Sequence, residues 1–111
     1  MTSEPRLGSA VRGSTSGRPI MVALDVLGRR GALRVLWELR GESLTFRALQ
    51  DASEMNPASL NTRLKELRAL SIVEHTVSGY ALTEHGAALM AALAPLQQWA
   101  DRWAPALGAT S

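Results

Sequence analysis

Between Pro19 and Trp103 the apolar residues recur three and four apart in several runs, and one run breaks that rhythm. Spacing of three and four puts side chains on one face of a helix, whereas β-prone residues around a glycine-containing loop favour a hairpin. IMVALDVL (20–27) reads as a first helix that stops near Gly28. GALRVLWELR (31–40) reads as a second, with Leu33, Leu36, Trp37 and Leu39 or Arg40 on its buried side and Gly41 as its C-cap. Thr45 is a good N-cap for a third, shorter helix through FRALQDA, with Phe46 and Leu49 inward and Arg47 and Gln50 outward. SEMN (53–56) is the turn that follows.

The next run, MNPASLNTRLKELRALSI (55–72), has the most clearly marked start. Asn56 is an N-cap, and Pro57 suits the first helical position, where its missing N–H is no loss. Leu60, Leu64 and Leu67, extended by Leu70, form one narrow apolar stripe. The other face carries Ala58, Ser59, Asn61, Thr62, Arg63, Lys65 and Arg68, small, hydrogen-bonding or cationic side chains that suit base edges and phosphates. Two short helices joined by a tight turn, the second capped and polar-faced, make a helix-turn-helix pattern.

IVEHTV (72–77) and YALT (80–83) then flank Ser78-Gly79, which predicts a tight hairpin. With that loop Val77 faces Tyr80 and His75 faces Leu82, beside Val73. His75 is accordingly a packed, hydrogen-bonded residue, because no carboxylate or nucleophile is placed to work with it. A hairpin directly after such a helix is the wing of a winged helix. Thr83 caps a last, alanine-rich helix, with Glu84 favourable at its positive end. Its stripe is Leu89, Leu93, Leu96, Trp99 and Trp103, and Pro95 should kink or break it. A domain this small has no other part available to cover two tryptophans one turn apart, so the stripe is expected to pack against a second copy.

Composition narrows the class. A chain of 111 residues that is 46% hydrophobic and 20% charged forms one globular domain. No apolar run is long enough to span a bilayer and no secretory signal opens the chain, so no membrane partner and a cytoplasmic location are expected. With no cysteine, disulfides, thiol sensing and thiolate metal sites are excluded. His75 and His85 are not at a metal-ligand spacing, so no metal or other cofactor is expected. Residues 1–18 read as a disordered basic tail holding Arg6, Arg12 and Arg18 against Glu4. The other nine basic and nine acidic residues cancel (12 less 3, 10 less 1), so bulk charge gives no support for nucleic-acid binding. The domain itself spans 19–104, and 105–111 read as a flexible end.

The strings LDVLGRRGALRVLWEL, LTFRALQ, NPASLNTRLKELRALSIVEHTV and YALTEHG, in this order, resemble the HxlR-type winged-helix transcription regulators, a branch of the MarR-like group. The resemblance covers about residues 24–86. Its most telling parts are Leu60, Arg63, Leu64 and Leu67 in the fourth helix, and Leu82, Thr83, Glu84 and Gly86 at the start of the last. It implies a homodimer on near-palindromic operator DNA, with the fourth helix in the major groove and the wing alongside. It also gives Arg63 a competing structural role, pairing with an acidic neighbour. Three departures stand out. Gly31 occupies the place of a tryptophan common in the family. The cysteine that many members use as an oxidant sensor is absent. The loop at Ser78-Gly79 closes the wing several residues early, without the family's prolines and arginine.

The sequence therefore predicts a mainly α fold with a small β-hairpin wing, a winged helix-turn-helix whose terminal helices form a dimer interface. It is not an enzyme, having no glycine-rich phosphate loop, no paired carboxylates on one face and no nucleophile with a base. The expected function is a transcriptional regulator binding double-stranded DNA through Arg47, Asn56, Ser59, Asn61, Thr62, Arg63, Lys65 and Arg68, with Leu89, Leu93, Leu96, Trp99 and Trp103 joining two copies. Two other readings compete. One is a winged-helix protein-interaction module that does not bind DNA. The other is a regulator set by an unidentified small-molecule effector at the dimer interface, near Trp37, Trp99 and Trp103.

Overall fold

A computed structural model describes residues 18–108. The expectations for Arg6 and Arg12 and for 109–111 lie outside the described residues. Five helices and one hairpin follow in the order α1 (Pro19–Leu27), α2 (Ala32–Glu38), α3 (Phe46–Ser53), α4 (Pro57–Ala69), β1 (Val73–Thr76), β2 (Gly79–Leu82) and α5 (Glu84–Trp103), closed by a 3-10 turn at Ala104–Leu107. This is the mainly α, hairpin-bearing winged helix-turn-helix that the pattern predicts. No described helix is long and apolar enough to cross a membrane.

The starts of α3, α4 and α5 are set by side chains. Thr45 Oγ1 accepts from Ala48 N at 3.1 Å, Asn56 Oδ1 from Ser59 N at 2.8 Å, and Thr83 Oγ1 from Gly86 N at 3.0 Å. Each such cap satisfies an orphan donor and contributes about 1 kcal/mol. The core gathers Val26 of α1, Val35, Leu36 and Leu39 of α2 and its end, Leu49 of α3, Leu60, Leu64 and Leu67 of α4, and Val73 and Tyr80 of the hairpin. Burying a leucine contributes about 1.5–3 kcal/mol, so the three α4 leucines fix that helix against the rest of the domain.

Three expectations about packing are corrected. In α2 the buried positions are Ala32, Val35 and Leu36, with Leu39 just beyond, while Leu33 and Trp37 are exposed. The helix is turned by about one position, because Arg34 ties it to the end of α3: its Nε lies 2.8 Å from Glu38 Oε2 and its Nη2 donates to Ala52 O at 2.8 Å. Trp37 carries the Arg40 guanidinium over its ring, 3.7 Å from the ring centre. The C-cap is Leu39, not Gly41. Pro95 does not break α5, which runs through it. Both Pro95 and Ala91, whose carbonyl loses its donor, are exposed, so that carbonyl is left open to solvent rather than buried unpaired.

The hairpin register is also different. The pairs are Val73 with Leu82, Glu74 with Ala81, His75 with Tyr80 and Thr76 with Gly79, so the loop is Val77-Ser78. Thr76 Oγ1 closes it, accepting from Ser78 N at 3.2 Å and donating to Gly79 O at 3.1 Å. Gly79 serves another purpose. Its φ is 126°, and a Cβ there would run into the backbone of Leu44. Leu44 exchanges two hydrogen bonds with Tyr80, at 2.9 and 2.7 Å, forming a short third edge that the sequence pattern did not indicate. His75 stacks on the Tyr80 ring, centroids 4.1 Å apart, but stays exposed at the surface, held by stacking with no hydrogen bond among the described residues.

Candidate nucleic-acid interface

α3, the turn through Glu54, Met55 and Asn56, and α4 form the helix-turn-helix. Glu54 takes φ 60° as the residue that ends α3, and its N–H bonds Gln50 O at 2.9 Å. The chain then reverses into the Asn56 cap. With Leu60, Leu64 and Leu67 buried, helical geometry points Ala58, Thr62 and Lys65 outward and sets Asn61 to one side of them, and all four are exposed. Arg68 and Ser59 are exposed on the two flanks of this ridge, and Arg47 is exposed on α3. Seven of the eight residues expected to reach DNA are thus at the surface, and Asn56 is one of them.

Arg63 is the exception. Its side chain is mostly buried and lies beside Glu66, Nη1 to Oε1 3.0 Å. Glu66, only 5% exposed, also takes Arg29 Nη1 on its other oxygen at 2.6 Å. Arg29 in turn reaches Asp25 at 2.7 Å. The four side chains form a chain from α1, through the turn after it, to the inner flank of α4. The Arg63–Glu66 contact lacks hydrogen-bond alignment, and Arg63 Nε has no acceptor among the described residues. Burying two opposed charges costs desolvation that their attraction roughly offsets, so the network matters less for net stability than for holding α4 in one place. The residue pattern put Arg63 on the polar face, and the resemblance gave it the competing role of pairing with an acidic neighbour; that neighbour is Glu66. The usable signal was an acid three residues after the arginine, on the inward side of the stripe.

Two other details refine the ridge. Thr62 Oγ1 donates back to Ala58 O at 3.0 Å, which leaves its methyl and its lone pairs for a partner. The wing residues from Glu74 to Ser78 include no Lys or Arg, and Val77 stands fully exposed at the tip. Away from this surface, the stripe on α5 divides. Leu89 and Met90 pack against the domain's own core, Leu93 is half-buried, and Leu96, Trp99 and Trp103 are 56, 47 and 45% exposed. Trp99 and Trp103 stack on each other with centroids 4.9 Å apart. Ile20 and Leu24 on α1 are exposed as well. An open, largely apolar groove of about 640 Å³ runs between α2 and α5, lined among others by Leu33, Trp37, Met90, Leu93 and Leu96.

A family model described as HxlR-like helix-turn-helix matches residues 26–107. An HTH-type transcriptional regulator of Methanocaldococcus jannaschii, itself described as uncharacterized, is 24% identical over 83 residues, 70% of this chain and 78% of that one. The quinone-bound YodB of B. subtilis is similar with a TM-score of 0.71 and 33% identity, over 75% of this chain and 96% of that chain. The reduced form of the transcriptional regulator YodB gives 0.70 and 32%, over 77% and 92%.

Proposed function

The chain belongs to the HxlR-like helix-turn-helix family, and on that footing we propose that it is a DNA-binding transcription regulator acting as a homodimer on a near-palindromic operator. The observation that carries the reading is the outward ridge of α4: Asn61, Thr62 and Lys65 are exposed beside Ala58, directly after a helix-turn-helix turn. Asn61 and Thr62 lie in the first half of the helix, the part that meets base edges, with Ser59 beside them. Lys65, Arg68 and Arg47 take phosphates, and Asn56 contributes its amide at the helix start. Arg63 acts through its pairing with Glu66 and positions the helix. A two-fold dimer reads a two-fold site, which is why a near-palindrome follows from dimerisation. The exposed apolar residues of α5 and α1 supply the second copy's contact surface. A cytoplasmic, non-enzymatic role accords with this reading.

The groove between α2 and α5 supports one addition, a small-molecule effector that binds beside the dimer contact. Its lining is mainly apolar, with Arg34, Arg40 and Asp101 at hand to orient a polar group. The chain has no thiol, so such a ligand is held by packing and hydrogen bonds rather than by a cysteine adduct.

Binding to duplex DNA as salt is raised tests the main reading, because a protein that neutralises phosphates must lose affinity steeply. Lys65→Ala should weaken binding to every sequence alike and lower the salt slope by about one unit, while Asn61→Ala should change the preferred site by about 1–3 kcal/mol at one or two base pairs. If neither variant nor salt alters binding, the protein-interaction module replaces the DNA reading.

A further inference from the structure

A helix in the major groove has a phosphate backbone on each side, so cations on both flanks hold it better than cations on one. α4 supplies Arg68 on one flank. The other flank is Ser59, Arg63 and Glu66, and its cation is already paired, since Arg63 lies against Glu66. The neighbouring arginines are engaged too: Arg29 by Asp25 and Glu66, and Arg34 by Glu38 and the Ala52 carbonyl. Arg30 differs from all of them. It is exposed and makes no hydrogen bond or ion pair among the described residues. It lines both open clefts on this flank, one together with Thr62 and Arg63, the other together with Asn56, Ser59 and Arg63. Glu54 also lines the second cleft and does not pair with Arg30.

The turn that carries Arg30 is held on both sides. Arg29 before it is anchored by two carboxylates. Gly31 after it takes φ 86°, with the Met55 side chain where a Cβ would stand, so a larger residue cannot hold this turn without displacing Met55. Backbone bonds from Arg29 N to Val26 O, 3.2 Å, and from Ala32 N to Arg29 O, 3.1 Å, close it. The arginine is therefore presented beside the ridge at little cost in backbone ordering.

We propose that Arg30, in the turn between α1 and α2, is the DNA-phosphate contact on the flank of α4 that α4 itself leaves without a free cation. The proposal rests on the DNA-binding reading above. It predicts a contact that positions and strengthens binding without reading sequence. The test is the affinity of the wild type, Arg30→Ala and Arg30→Lys for a random-sequence duplex and for a duplex selected from a random library by the wild type, each across a salt series. Arg30→Ala should lower the log–log salt slope by about one unit on both duplexes, so that its deficit shrinks about threefold between ~50 and ~200 mM salt. Arg30→Lys should keep the slope, and the thermal midpoint should not move, because the exposed side chain makes no hydrogen bond or ion pair among the described residues. A wild type that binds with steep salt dependence alongside an Arg30→Ala variant of equal slope would overturn this inference alone. A wild type with no salt-dependent duplex binding removes the DNA reading and this contact with it.

Discussion

α4 and α5 carry the same kind of apolar stripe, yet the domain uses them differently. α4 buries Leu60, Leu64 and Leu67 completely and turns small and polar residues outward. α5 is longer, but Gly86 is its one fully buried residue, at the close approach to the Ile72 carbonyl, and its second half leaves Leu96, Trp99 and Trp103 about half exposed. Periodicity says which face of a helix is apolar. It does not say whether that face is met by the same chain or by another. In α4 the partner surface is the core formed by α2, α3 and the hairpin. In α5 the first half shares that core through Leu89 and Met90, and beyond it the stripe stays about half exposed, facing α2 only across the open groove.

Breaking the α4 side of this comparison should have the largest effect. Glu66→Ala leaves Arg29 and Arg63 facing each other without their shared carboxylate, and removing one partner from a buried pair costs ~3–5 kcal/mol. Leu64→Ala should cost ~2–5 kcal/mol through lost burial and a cavity. Both are large against the ~5–15 kcal/mol total of a domain, and both should appear as lower denaturation midpoints than the wild type at matched protein concentration. If Glu66→Ala unfolds at the wild-type midpoint, the network is not what holds α4.

Breaking the α5 side should instead change assembly. The double variant Trp99→Ala, Trp103→Ala should abolish the dimer while leaving the isolated protomer's stability within about 1 kcal/mol, since surface positions contribute little to the fold. Central interface tryptophans typically each account for ~2 kcal/mol or more of association. Sedimentation of the wild type at micromolar concentration as a dimer, and of the double variant as a monomer, is the expected pair of results. A wild type that sediments as a monomer would leave the stripe without this role.

The contrast also marks what was legible beforehand. The α4 cap, its stripe and its polar ridge are all local features, and each stands where the residues indicated. The strings that carried the resemblance stop near Gly86, whereas the family match continues to residue 107 and takes in all of α5. The misreadings share a cause: they depend on a third segment. Gly79 looked like a turn glycine because the backbone of Leu44 cannot be foreseen from the hairpin strings. The face of α2 was misjudged because Leu and Trp outweigh Ala32 and Val35 in any pattern of large apolar residues, while the rotation is fixed by the bond from Arg34 to the Ala52 carbonyl in α3. For Arg63 the pattern left two roles open, a DNA contact or a pairing with an acidic neighbour, because Arg29, which completes its network, lies thirty-four residues earlier in the chain.

The smallest expected effect separates two roles at one residue and compares the helices at their starts. Asn56 and Thr83 cap α4 and α5 through the same chemistry, a side-chain oxygen accepting the backbone N–H three residues on. Thr83 also donates to Ser71 O at 2.6 Å, so its hydroxyl is fully used inside the fold. Asn56 uses only its oxygen, and its amide N–H groups have no partner among the described residues. Either residue changed to alanine should cost ~0.5–2 kcal/mol of stability. Asn56→Asp should keep the cap, because aspartate is as good an N-cap and its charge suits the helix start. It should nevertheless weaken duplex binding more than Asn56→Ala does, since it replaces a donor with a negative charge beside the phosphates. Thr83→Ala, matched in stability loss, should leave binding to the folded protein unchanged. Equal binding by Asn56→Asp and the wild type would confine Asn56 to capping, and the DNA surface would then begin at Ser59.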